Sequence, residues 1–109
     1  SFDFVTQVRI RYGVGLTKQL PEILKEHGFQ RIGFVIDGNL FDHTPELNNI
    51  IQRCKNGFVS VIVEFYREKF EPTYQYLDKA KLKFKDGPRS LIDCIVAVGG
   101  GVSLIRQRG

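Results

Sequence analysis

The chain has 109 residues, 42% of them hydrophobic and 26% charged, with a formal net charge of +4. That is enough apolar material for one domain with a modest core, and it excludes a disordered, charge-dominated chain. The basic excess is not a nucleic-acid signature: acids interleave with bases in YREKFEP and YLDKAKLKFKDG, and without residues 102–109, which hold Arg106 and Arg108, the charge falls to +2.

In chain order, VRIRYG (8–13) alternates apolar and charged positions, the pattern of an exposed or edge strand. LTKQLPEILKEHG then puts Leu16, Leu20, Ile23 and Leu24 on one helical face, with Gly28 as the C-terminal stop. RIGFVID (31–37) is a nearly continuous apolar run, as expected of a strand covered on both faces. In NLFDHTPELNNIIQRCKNG, Thr44 is the expected N-cap, Pro45 the first helical residue, and Leu47, Ile50, Ile51 and Cys54 the buried stripe. VSVIVEFY reads as a further strand, EPTYQYLDKAKLKF as a helix starting near Pro72, and IDCIVAVGGG as the last strand. The order βαβαβαβ implies an α/β fold: a Rossmann-like parallel sheet with helices on both faces and right-handed crossovers.

Ligands of such sheets bind where the strands' carboxyl ends open into loops. Two features fall there. Asp37, followed by Gly38, closes the RIGFVI strand, and Gly99, Gly100 and Gly101 follow DCIVAV. An acidic side chain at that place can accept hydrogen bonds from a ribose diol and repel a 2′-phosphate; taken alone it is equally a helix or turn cap. Glycines let backbone N–H groups approach a phosphate and permit positive φ; taken alone they are a flexible turn. Together at one edge they point to a dinucleotide site. YGVGLTK is a decoy, lacking both the third glycine of G-x-G-x-x-G and the G-K-[ST] ending of a P-loop.

Cys54 and Cys94 form no C-x-x-C pair and lie in regular segments, so buried free thiols of a reducing compartment are expected. No apolar run is long enough to span a bilayer and no signal-type apolar region opens the chain, which leaves the cytoplasm as the expected location and no membrane among the partners. His27 and His43 are isolated, without a second histidine at metal-binding spacing; His27 reads as a cation at a helix C-terminus and His43 as a loop residue.

From about Arg9 to Gly101 the chain resembles the iron-containing alcohol dehydrogenases, relatives of glycerol dehydrogenase and dehydroquinate synthase. The resemblance rests on the order and spacing of RIRYGVG, LPEILKEHGFQRIGFVIDGNL, EPT before a helix, and DCIVAVGGG. It implies hydride transfer between NAD and an alcohol, aldehyde or ketone, with Asp37, Gly38, Gly99, Gly100 and Gly101 as cofactor-binding positions. It also implies a divalent metal, iron or zinc, held by an Asp and three His of a separate helical domain that this chain does not contain, so no catalytic or metal residue is assigned here. Pairing through the N-terminal strand, Val8 to Tyr12, is implied too, hence a homodimer or higher oligomer.

The family pattern departs after Gly101. There the resemblance implies Gly-Gly-Gly-Ser, two variable residues, then Asp-Thr-Ala-Lys; this chain has GVSLIRQRG. Loss of one base from the glycine codon turns a reading of Gly-Ser-Val-X-Asp-Thr-Ala-Lys-Gly into Gly-Val-Ser-Leu-Ile-Arg-Gln-Arg-Gly. Residues 1–101 are therefore expected to be a dinucleotide-binding domain and 102–109 an out-of-frame tail on a truncated N-terminal domain, inactive by itself. The other reading of the residues is a self-contained, non-catalytic nucleotide-binding or interaction module.

Overall fold

A computed structural model describes residues 4–10, 16–66, 92–99 and 101–107 of the chain. The elements are β1 (Phe4–Ile10), α1 (Leu16–Glu26), β2 (Arg31–Asp37), α2 (Gly38–His43), α3 (Pro45–Gly57), β3 (Ser60–Tyr66), β4 (Cys94–Val98) and β5 (Val102–Gln107). Five strands form one sheet in the order β1-β5-β4-β2-β3. β2 pairs in parallel with β3 and with β4, whereas β5 runs antiparallel to both β4 and β1. The fold is α/β and Rossmann-like, with β1, β4, β2 and β3 all pointing the same way. The helix expected near Pro72 lies outside the described residues.

Two helices form largely as their patterns predict. α3 starts with Pro45 at its first position and buries Leu47, Ile50, Ile51 and Cys54, the expected stripe. Each such apolar side chain contributes roughly 1.5–3 kcal/mol when removed from water. Thr44 occupies the N-cap position, but its side chain makes no capping bond. Leu20 and Leu24 of α1 are buried beside that stripe, and Pro21 sits inside the helix, where it has no N–H to give the ladder. The Lys25 ammonium lies 6.0 Å from the Phe58 ring centroid, tying the C-terminal ends of α1 and α3 together.

α1 ends in a Schellman turn. The Gly28 N–H donates to Lys25 O at 3.0 Å and the Phe29 N–H to Leu24 O at 3.2 Å, with Gly28 at φ +78°. Phe29 and Leu24, the hydrophobic pair that accompanies this motif, are both buried in the core.

β1→α1→β2 and β2→α3→β3 cross the sheet in the same direction, so right-handed connections put α1 and α3 on one face. There they cover Ile32, Phe34, Ile36, Cys94, Val96, Val98, Val102 and Leu104. The opposite face carries Val35, Ile95, Ala97 and Ile105, buried as a second cluster.

The structure differs from the sequence pattern in four places. β1 (Phe4–Ile10) begins earlier than the expected residue 8, residues 11–13 of the expected strand lying outside the described residues, and it stands at one end of the described strand order as an edge strand should. A short helix, α2, occupies residues read as loop, so His43 is its last residue. The last apolar strand is shorter, Cys94–Val98. Residues 102–107 form β5 between β1 and β4, and the sheet is therefore not wholly parallel. The reason is loop length: only Gly99–Gly101 separate β4 from β5, and a parallel return needs about a dozen residues.

Candidate functional site

The parallel strands β4, β2 and β3 end level with one another. Ile36 is in register with Val98 and Asp37 with Tyr66, so Asp37, Tyr66 and Gly99 share one carboxyl edge. This is the edge at which open α/β sheets take ligands. Sequence reasoning thus names two groups, Asp37–Gly38 and Gly99–Gly101, that the fold brings onto adjacent strand ends.

Asp37 is half-buried and closes β2. Its Oδ1 accepts hydrogen bonds from the backbone N–H groups of Asn39 at 2.9 Å and Leu40 at 3.4 Å, which caps α2. The cap role weighed from the sequence is therefore present. It does not exhaust the carboxylate, because a carboxylate offers about four lone-pair positions and the cap takes two on a single oxygen. Gly38, buried, is the first residue of α2.

The glycine run is a hairpin turn here. Val98 pairs with Val102 across it, and the Gly99 N–H donates to Gly101 O at 3.0 Å. Gly99 is buried; Gly100 lies outside the described residues. Gly101 has no left-handed φ, and a Cβ placed on it would meet nothing within 4 Å. The freedom of positive φ expected for this run is used at neither Gly99 nor Gly101; among described glycines Gly28 has it. No helix follows the turn: its continuation is β5, with Val102, Leu104 and Ile105 almost wholly buried.

Sequence reasoning missed an aromatic flank at this edge. Phe65, one residue before the end of β3, is 42% exposed and meets Phe41 of α2 edge-on at 4.8 Å between centroids. The available signal was the period of VSVIVEFY, which puts Phe65 next to Tyr66 at the strand's end. It also missed Asp93, at the opposite end of the sheet. Its Oδ2 accepts from the N–H groups of Gln30 and Arg31, both at 2.9 Å, and its own N–H donates to Arg31 O at 2.8 Å. That carboxylate clamps the start of β2 against β4 and is structural.

His27 is exposed beyond α1, its ring stacked on Phe29 at 5.7 Å. Arg106 of β5 adds a cation at that helix end beside Lys25 of the last turn: its Nη2 donates to His27 O at 3.1 Å, and its guanidinium lies 4.6 Å from the Phe29 centroid. His43 Nδ1–H donates to Asn39 O at 2.7 Å within α2. Among the described residues no three His, Cys, Asp or Glu side chains converge as metal ligands would. Cys54 and Cys94 are free and buried, and burial pushes their thiols up to about 11 and about 12 respectively. No helix among the described residues is long and apolar enough to cross a membrane.

Residues 7–104 match the family described as iron-containing alcohol dehydrogenase. No curated protein and no solved structure matches the chain.

Proposed function

Because the chain belongs to the iron-containing alcohol dehydrogenase family, we propose that it is the dinucleotide-binding part of a metal-dependent dehydrogenase acting on an alcohol or carbonyl substrate with NAD. The observation that carries this reading is the placement of Asp37 level with Gly99 on adjacent parallel strand ends. The nicotinamide, when bound, exchanges hydride with the substrate carbon. In this reading the Asp37 oxygen left outside the cap accepts from a ribose hydroxyl, and its charge repels a 2′-phosphate. Gly38, Gly99, Gly100 and Gly101 keep side chains out of the way of the pyrophosphate. The described residues do not fit a metal, and no step on this chain is assigned to one; the iron or zinc belongs to the helical domain that the family resemblance implies.

Asp37 is tested in the complete enzyme by NAD and NADP affinities. NAD is preferred, and Asp37→Gly narrows the preference by about 1–3 kcal/mol, the scale of a charge-assisted contact. Asp37→Asn separates the roles, since it keeps a capping oxygen while removing the charge. Equal affinity for both cofactors before mutation would sink the assignment. The present chain by itself binds a dinucleotide weakly or not at all, because its glycines run into β5 and not into a helix whose N–H groups would hold the pyrophosphate. Calorimetry showing micromolar NAD affinity contradicts that.

One observation favours the second reading, a self-contained binding or interaction module: residues 102–106 are built into the sheet and make specific contacts. The two readings part at the gene. Out-of-frame origin for residues 102–109 requires that the family's Ser and Asp-Thr-Ala-Lys codons lie one base out of step after the Gly101 codon; an in-frame reading to a natural stop favours the module. Self-association through β1 belongs to the first reading, and a monomer mass by light scattering at micromolar concentration removes it.

A further inference from the structure

We propose that β5 is an exchangeable strand: it can leave the slot between β1 and β4, and β1 then closes directly onto β4 as a parallel pair. The exchange involves no claim about which ligand the glycine loop takes.

The register makes this possible. β5 is antiparallel to both neighbours, so β1 and β4 already run the same way. Reading across the three strands, Ile10, Val102 and Val98 are level, as are Arg9, Ser103 and Ala97, Val8, Leu104 and Val96, and Gln7, Ile105 and Ile95. Thr6, Arg106 and Cys94 make a fifth row, so taking β5 out brings five rows of β1 and β4 face to face with no slip along the strand. A slip of one residue would turn every side chain to the wrong face of the sheet, and none is needed. The sheet that results, β1-β4-β2-β3, is parallel throughout, the arrangement that the alternation of strands and helices predicts.

β5 also differs from its neighbour β4 in how it suits the interior of the sheet. Antiparallel strands in largely parallel sheets commonly lie at the edge, and this one is inside. It carries a buried polar side chain, Ser103 at 6% exposure, where β4 is apolar from end to end. Its connection to β4 is glycine throughout, so the hinge offers little steric resistance. What keeps it in place is the burial of Val102, Leu104 and Ile105 and the grip of Arg106 on His27 O and Phe29. The inserted form is thus the major one and the exchanged form the minor. Departure of β5 also releases the Gly99 N–H from Gly101 O, linking the slot to the loop at the carboxyl edge.

A double substitution in the full chain, Arg9→Cys with Ala97→Cys, reads the exchange. With β5 in the slot the two Cα atoms are two strand spacings apart, about 9.6 Å. That exceeds the roughly 7 Å beyond which a disulfide cannot close, whereas one spacing of about 4.8 Å allows it. Ile105→Asp, which puts a charge into a buried position, drives β5 out. Under mild oxidation a bridge between positions 9 and 97, mapped by peptide mass spectrometry apart from Cys54 and Cys94, forms at least tenfold faster when Ile105→Asp is added. No bridge in that variant, or equal rates with and without it, overturns the proposal. If Ile105→Asp abolishes cooperative unfolding, hydrogen exchange on the unsubstituted chain decides. Amides of β5 that exchange by an opening which leaves β1 and β4 protected support the exchange. Amides of β1 and β5 that are lost together refute it.

Discussion

Replacing Gly28 with Ala isolates the worth of one backbone angle. Gly28 ends α1 at φ +78°, and a Cβ built on it meets no atom within 4 Å, so no packing clash enters. The cost is that of an L-residue in the left-handed region, about 1–2 kcal/mol. Against it stands the reduced entropy of the unfolded chain, about 0.4–1 kcal/mol in favour of Ala. The net loss is about 1 kcal/mol, and with a urea slope of about 1–3 kcal/mol per molar the midpoint falls by roughly 0.3–1 M. Gly101→Ala is the matched control, since Gly101 has equally open space but no left-handed φ, and only the entropy gain remains. Urea titrations followed by far-ultraviolet circular dichroism should therefore move the two midpoints in opposite directions. If Gly28→Ala is as stable as the parent chain, or if both variants shift alike, the Schellman turn does not determine where α1 stops.

Asp93→Ala removes both bonds that its carboxylate accepts from Gln30 and Arg31 and is expected to cost about 1–3 kcal/mol in urea, with Asp93→Asn recovering part of it; an unchanged midpoint would mean that the clamp adds nothing net. Cys54 and Cys94, pushed up to about 11 and about 12, keep their protons when folded at pH values where the unfolded thiols, near 8.5, have lost theirs. Their contribution is complete below about pH 8.5 and falls at up to about 1.4 kcal/mol per pH unit for each thiol above it, so the decline between pH 9 and 11 should be shallower in Cys94→Ala, and an identical slope would contradict the burial effect.

The legible part of the fold was the part decided by local periodicity. The stripe of Leu47, Ile50, Ile51 and Cys54 and the stop at Gly28 follow from helical spacing and from backbone sterics, both of which act within a few residues. The continuous apolar run at residues 31–37 correctly implied a strand buried on both faces, and IDCIVAVGGG a last strand, which is shorter, Cys94–Val98. α2 escaped because a six-residue helix has no room for a periodic stripe; what makes it is the Asp37 cap, and a cap signal alone does not tell a short helix from a turn. Asp93 escaped because its partners, Gln30 and Arg31, are more than sixty residues away in sequence. Arg106 likewise reaches His27 across the fold, a contact that no spacing rule contains.

The glycine run shows why a chain's course can be legible up to one residue and not past it. Three glycines after a buried strand impose little of their own: they allow a turn, and the residues that follow choose its outcome. A polar, helix-forming continuation would lift the chain away from the sheet and aim free N–H groups back at the loop. Val102, Leu104 and Ile105 instead have apolar surface to bury on both faces, which an exposed helix could not do. With three residues to turn in, such a segment can return only as an antiparallel neighbour of β4, and it takes the place beside it. The same Gly99 N–H that would face a phosphate then bonds to Gly101 O across the hairpin. Under the proposed function a phosphate loop would draw on the same backbone donors as this turn, and the six residues of β5 close the turn.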